Sequence, residues 1–116
     1  DRADGREGQA WSSTPEDPYR LPVVSEWSPF GKPGSLPNAG CSAHYFQLRD
    51  GVLAQSYYGQ GTHFIDVSDP ENPEQVGYFR ADGGSNWAPY WNGDVMYIAD
   101  GRRGVDIVRP IIPAKG

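Results

Sequence analysis

From residue 41 onward, apolar and polar positions alternate in short runs, each closed by a turn signal. "SAHYFQLRDG" reads as a strand that ends at Asp50-Gly51, a dipeptide suited to closing a hairpin. "VLAQSYYG" reads as the returning strand, and "QGT" as the next turn. In "HFIDVS", Phe64, Asp66 and Ser68 alternate with His63, Ile65 and Val67, the period of two expected of a strand. "DPENP" stops that strand, because Asp69 can bond nearby amides and the two prolines fix the turn. "EQVGYFRA" is the fourth strand of an antiparallel meander.

The pattern then restarts. "SNWAPYWNG", "DVMYIADG" and "GVDIVRP" repeat the same grammar of turn, apolar strand, small Gly-containing loop and strand with an Asp. Asp50-Gly51 matches Asn92-Gly93 at an offset of 42, and Gly61 matches Gly104 at an offset of 43. Asp66 falls opposite Asp106 or Ile107, depending on where the gap is placed. A period near this length, with four strands per unit, fits a β-propeller blade. Repetition has a physical reason: a lone sheet cannot bury both faces, and stacked sheets cover one another.

The first forty or so residues differ. Residues 1–18 are charged, rich in Gly, Ser and Pro, and nearly free of aliphatics, as in a flexible arm or surface loop. Residues 19–40 hold a strand-like centre at 23–27, bracketed by Pro22 and Pro29, then a Pro/Gly loop. Proline lacks the ladder donor, so this is expected to be an edge strand. It is also a candidate for the missing outer strand of the last sheet. The expected organisation is therefore the arm, this edge strand and loop, a complete blade over 41–81, and a second, incomplete blade with a C-terminal tail over 82–116. The expected fold class is all-β, a partial β-propeller of about two four-stranded antiparallel blades.

Composition agrees with many turns and few helices: 15 glycines and 11 prolines in 116 residues. The formal charge of −5 argues against binding nucleic acid or anionic lipid surfaces, both of which attract cations. No apolar run is long enough to span a bilayer. The single cysteine, Cys41, has no internal disulfide partner. It reads as a small buried thiol, with pairing to another chain as the alternative. The chain begins at Asp1 without a leader, as a processed protein or an excerpt would.

"GTHFIDVSDPENPEQVGYFR" resembles the repeat of LVIVD-repeat β-propeller proteins, in which a Gly-led strand ending in Asp-x-Ser-Asp-Pro is followed by Pro, an apolar residue and Gly. Gly61, Phe64, Asp66, Val67, Ser68, Asp69, Pro70, Pro73, Val76 and Gly77 match in order. "VMYIADGRRGVDIV" is similar to part of a further repeat, with Arg109-Pro110 where the family has Ser-Asp-Pro. Together with "CSAHYF", "AQSYYGQGT" and "NWAPYW", this resembles the C-terminal part of secreted actinobacterial members, over roughly residues 19–109. The resemblance implies a secreted or cell-surface protein, and little about activity. Propellers have about 4–8 blades, so the chain is expected to belong to a longer propeller or to assemble as a homo-oligomer.

Candidate residues follow from residue chemistry. His44 is expected on an innermost strand near a central channel, and His63 on the third strand, further out. A metal site needs three or four convergent ligands, and Cys41 and His44 point to opposite faces of an extended strand. No metal and no cofactor is therefore expected. Asp66, Asp69 and Glu71 lack the dense alternation of a calcium loop and read as turn caps. "GGSNWAPYW" clusters aromatics that stack on sugars or peptides, or pack between blades. His44, Tyr58, Trp87, Tyr90 and Trp91 are the candidate ligand-binding residues. No nucleophile elbow or phosphate-cradling loop is present, so no catalytic residue is assigned.

Three functional expectations result. The first is a non-catalytic extracellular scaffold that binds protein or polysaccharide through the loops at 59–61, 83–91 and 101–104. The second is part of a propeller enzyme using His44, Cys41 and Asp100 at a channel mouth. The third is an excerpt without independent function, exposing Ile65, Val67, Val105 and Ile107 to association.

Overall fold

The computed structural model describes residues 19–37 and 41–112. The expected arm over 1–18 and the tail over 113–116 lie outside the described residues. Among the described residues the chain is all-β and forms two antiparallel sheets. The first contains β1 (Phe46–Arg49), β2 (Val52–Ser56), β3 (Thr62–Asp66) and β4 (Glu74–Phe79) in meander order. The second contains β5 (Asn86–Asn92), β6 (Val95–Asp100) and β7 (Gly104–Val108), also in sequence order. The sheets are not closed into a barrel.

Turn chemistry sets the hairpins. Asp50 and Gly51 have φ of 53° and 77°, so the two-residue turn between Arg49 and Val52 twists with its strands. Gly93 (φ 63°) does the same for β5 and β6, where Asn92 faces Val95. Gly61 (φ 85°) immediately precedes β3, and a Cβ there would lie 2.3 Å from the carbonyl oxygen of Phe79. Only glycine fits that approach.

The repeat is more regular than its sequence offsets. Leu53 pairs with Ile65 as Met96 pairs with Val108; Ala54 pairs with Phe64 as Tyr97 pairs with Ile107. Gln47–Ala54 corresponds in the same way to Tyr90–Tyr97. Each pair is displaced by 43 residues, so the turn offset of 42 is corrected, and Asp50-Gly51 corresponds to Gly93-Asp94. On this register Asp106 stands at the position of His63, and Asp66 corresponds to Arg109. Strand pairing, which counts backbone positions, overrides the apparent Asp match.

Alternation sends Val52, Ala54 and Phe64 to one face of the first sheet, where they pack with Met96 and Ile98 of the second. Val76, Phe79, Trp91, Val108 and Ile112 border this core. The opposite face of the first sheet is covered by residues 19–37, not by another sheet. Residues 23–27 form no strand, so the expected edge strand, and its role as the outer strand of the second sheet, are corrected. Val23 and Val24 are exposed, while Trp27 turns inward over Tyr57 and His63, with ring centroids 6.0 and 5.7 Å away. The side-chain anchor and the flanking prolines hold the segment flat across the sheet.

Polar side chains fasten this cover. Gln60 accepts a hydrogen bond from the Leu36 amide (2.7 Å) and donates to the Leu36 carbonyl. Gln75 Nε2 donates to the Pro33 carbonyl (2.9 Å), and Arg80 Nε to that of Gly34 (2.9 Å). His63 is fully buried beneath the cover. Its ring nitrogens face Gln75 Oε1 at 2.7 Å and the Gln60 carbonyl at 2.9 Å. Ile65 is 1% exposed and Val67 half-buried, correcting their expected exposure, whereas Val105 and Ile107 do stand open to solvent.

Ile98→Ala is expected to cost about 2–5 kcal/mol, because it opens a cavity between the sheets. Ile111→Ala, at a side chain 90% exposed, is expected to stay within about 0.5 kcal/mol. Denaturant unfolding of both variants checks the placement of the core.

Candidate functional site

At one end the sheets meet edge to edge, and their junction gathers the ring-bearing residues. Ser56 ends β2, and Tyr58 then adopts a left-handed φ of 52°. This turns its backbone to bridge Asn86, with N–H donations of 2.8 Å in both directions. Between Asn86 and Ala88 the β5–β6 register slips by one residue, and Trp87 is the extra one. Such a bulge re-aims a side chain, and the Trp87 indole emerges 47% exposed. Gly101 permits this. A Cβ there would lie 2.4 Å from Trp87 Nε1.

His44 and Tyr45 arrive from the other side. They precede β1, so the expected innermost strand position of His44 is corrected. The His44 amide donates to the Ser56 carbonyl (3.0 Å), and the Tyr45 amide to the Trp87 carbonyl (3.2 Å). His44 Nδ1 lies 3.0 Å from the same Trp87 oxygen. A carbonyl only accepts, so Nδ1 carries the proton and Nε2 is the ring's second polar atom. The His44 ring lies 4.4 Å from Tyr45, 5.3 Å from Tyr58 and 5.3 Å from Trp87, centroid to centroid. Tyr58 and Trp87 are themselves 6.2 Å apart and nearly perpendicular. All but the tilted His44–Trp87 contact are edge-to-face, an arrangement that aromatic pairs favour.

Three of the five candidate ligand-binding residues, His44, Tyr58 and Trp87, thus come together. Tyr90 and Trp91 do not join them. Trp91 borders the inter-sheet core, and the Arg49 guanidinium lies over its ring at 3.7 Å. Arg49 also donates to the Gly93 carbonyl (2.8 Å), so this cation–π contact is tied into the sheet junction. Tyr90 points to the other face of β5 and is 63% exposed. Tyr45, 65% exposed, belongs to the cluster and was missed, although it adjoins His44 in a run of aromatics.

A polar chain lies beneath the rings. Asn86 Oδ1 accepts from the Thr62 hydroxyl (2.8 Å), so the Ser56 hydroxyl must donate to Thr62 (2.9 Å). Asn86 Nδ2 then donates to Asp100 Oδ2 (3.3 Å). Ser56, Thr62, Asn86 and Asp100 are all buried. Their only sequence trace is a set of polar residues at strand ends, which also describes a solvated edge.

Asp100, a candidate for the enzymatic reading, is saturated. Its Oδ1 accepts from the amides of Ser85 (3.1 Å), Arg102 (2.8 Å) and Arg103 (3.0 Å), and its Oδ2 from Asn86 and Arg103 side chains. Burial pushes its carboxyl up, but the amides of Arg102, Ser85 and Arg103 with the Arg103 side chain together hold it below the ordinary value. Cys41 is a half-buried free thiol whose pKa is raised by burial, the opposite of an activated nucleophile. Asp66 and Asp69 cap their turn: Asp66 Oδ1 accepts from the Ser68 amide and hydroxyl, and Asp69 from the Glu71 amide and the Asn72 side chain. No group of three or more His, Cys, Asp or Glu side chains among the described residues is arranged to hold a metal ion.

Compared with known proteins, the chain matches no family model, no curated protein and no solved structure at a significant level.

Because Asp100's folded pKa is depressed below 3.8, its ionisation stabilises the fold above that pH, and the contribution is lost as pH falls through the folded value. Asp100→Asn is expected to cost about 1–3 kcal/mol at neutral pH and to flatten the stability profile below 3.8. Thermal unfolding across pH 2–7, as a rough range chosen to bracket carboxylate titration, checks both expectations.

Proposed function

We propose that this protein is a non-catalytic repeat module that binds a polysaccharide through the His44–Tyr45–Tyr58–Trp87 surface. It would act at the cell surface or in the extracellular space, as part of a β-propeller of the LVIVD-repeat kind. The observation that carries the proposal is the cluster itself: four rings held by three edge-to-face contacts and one tilted contact, with Tyr45 65% and Trp87 47% exposed. Holding large apolar rings at the surface, on a bulge and a left-handed residue, does nothing for the core. It suits a ligand with an apolar face and hydroxyl groups, as a sugar ring has. Aromatic faces stack on its C–H side, while tyrosine hydroxyls and His44 Nε2 meet its oxygens.

The cluster is rich in rings, and the Asp100 carboxylate beneath it is buried and spent on hydrogen bonds, which favours a neutral glycan over a basic peptide. The propeller assignment draws on the Gly61–Gly77 motif and on the constant 43-residue register between the sheets. The enzymatic reading with His44, Cys41 and Asp100 draws no comparable support, since Asp100 is spent on backbone amides.

Trp87→Ala is expected to weaken binding to a responsive neutral oligosaccharide at least about tenfold, a loss near 1.4 kcal/mol, without moving the unfolding midpoint by more than a few degrees. Calorimetric titration against a panel of neutral and acidic oligosaccharides, with quenching of tryptophan fluorescence in parallel, measures this. Absence of binding across the panel, or binding that Trp87→Ala leaves intact, would sink the proposal.

A further inference from the structure

We propose that His63 is a proton-linked latch: its ring carries both N–H groups while residues 19–37 lie closed on the first sheet, and loss of one of them releases that segment. Hydrogen-bond direction requires two protons. Nδ1 lies 2.7 Å from Gln75 Oε1, and Nε2 lies 2.9 Å from the Gln60 carbonyl oxygen. The Gln75 amide cannot be turned round, because its Nε2 donates to the Pro33 carbonyl (2.9 Å), which only accepts. Both ring nitrogens therefore face acceptors. A neutral imidazole has one N–H and would aim the other nitrogen's lone pair at an oxygen, whereas an imidazolium donates at both. His63 is fully buried, so water does not stand in for the missing donor.

The surroundings suit a positive ring. His63 stands between Gln55 of β2 and Tyr78 of β4. Trp27, Tyr57 and Tyr78 surround it, with centroids 5.7, 5.9 and 6.1 Å away. An aromatic face at about 6 Å attracts a cation, and Tyr78, stacked on the imidazole, presents one. The titratable groups on this side are the phenols of Tyr57 and Tyr78 and the Cys41 thiol that acts on Tyr57. Beyond Trp27 lies the Lys32 ammonium, 5.0 Å from the indole centroid, and Glu26 beside Trp27 is exposed. Arg80, next after β4, bonds the Gly34 carbonyl and Asp82. Lys32 and Arg80 oppose a further positive charge, so the two oxygens and the Tyr78 face are what retain the proton.

Both oxygens belong to residues that fasten the cover. Gln75 holds Pro33, and the Gln60 side chain holds the amide and carbonyl of Leu36. Loss of a ring proton sets a bare nitrogen against one of these oxygens, and a buried polar atom left unpaired is costly. The nearest relief is a shift of Gln75 or Gln60, which frees Pro33 or Leu36. Trp27 then lifts from the ring, and the face around Gln55 and Ile65 opens. The sign of the coupling follows. Closing the cover takes up a proton relative to an open form with a neutral ring, so the closed form loses ground as pH rises.

Two readouts on the full chain test this together, from roughly pH 5 to 9, a range that brackets histidine titration. Nitrogen NMR of the histidine rings counts the N–H groups on His63, whose signals are assigned by their loss in His63→Gln. The hydrogen-exchange protection factor of the Leu36 amide, which removes the intrinsic pH dependence of exchange, reports closure of the cover. The expected protection is flat below about 6.5 and falls about tenfold per pH unit above it, the slope for one linked proton. The ring should show two N–H groups wherever Leu36 is protected by the closed cover. In His63→Gln the protection profile should be flat. A closed cover over a ring with one N–H overturns the proposal. So does wild-type protection that stays constant across the range, or a slope that His63→Gln retains. If His63→Gln does not fold, the two wild-type readouts decide alone.

Discussion

The structure depends on a buried hydrogen-bond chain that joins the two sheets where their strands end. Ser56 donates to Thr62, Thr62 to Asn86, and Asn86 to the ionised Asp100. Every donor in the series points toward the one negative charge. That charge is in turn held by three backbone amides of the loop around it. Low local dielectric makes such a chain valuable when complete and costly when broken. At this end the polar chain, together with the His44, Tyr58 and Trp87 rings above it, fixes the relative position of the two sheets. The Tyr58–Asn86 bridge, the Trp87 bulge and the seat of His44 all follow from that position.

Away from the seam, apolar packing takes over. The first sheet uses its two faces differently: one is buried by the second sheet, the other by an irregular segment pinned through Gln60, Gln75 and Arg80. A sheet with both faces buried needs no further partner over most of its area. Among the described residues the second sheet has only one face covered, and its edge strand β7 carries exposed Val105 and Ile107. The asymmetry is physical, not incidental. The same backbone register serves both sheets, but the described residues supply a cover for only the first.

The aromatic surface and the apolar face differ in chemistry. At the first, rings are fixed by edge contacts and flanked by hydrogen-bonding atoms, which suits a polar ligand with an apolar side. At the second, Tyr90, Val105 and Ile107 stand exposed, and the Arg109–Asp94 ion pair lies at the end of their strands. Two neighbouring aromatic residues therefore have different fates. Trp91 is drawn into the inter-sheet contact under Arg49, while Trp87, four residues earlier in the strand, is turned outward by the bulge.

Alternation and turn residues determined the strands. The hairpin at Asp50-Gly51, the meander over 41–81 and the three-stranded restart are local features, fixed by period-two burial and by backbone angles that few residues adopt. The capping roles of Asp66 and Asp69 are equally local, because donor and acceptor lie within three residues. Tertiary structure decided the rest. Residues 23–27 look like a strand by composition, yet pack as a flat cover because Trp27 finds Tyr57 and His63 far along the chain. Ile65 and Ile107 both point away from the other sheet, yet Ile65 is hidden and Ile107 exposed, which alternation cannot tell apart without knowing what lies above each sheet. His44, Tyr58 and Trp87 meet only because two sheets converge at a polar seam. Sequence periodicity reports which side of a strand a residue occupies; only the packed molecule supplies what stands against that side.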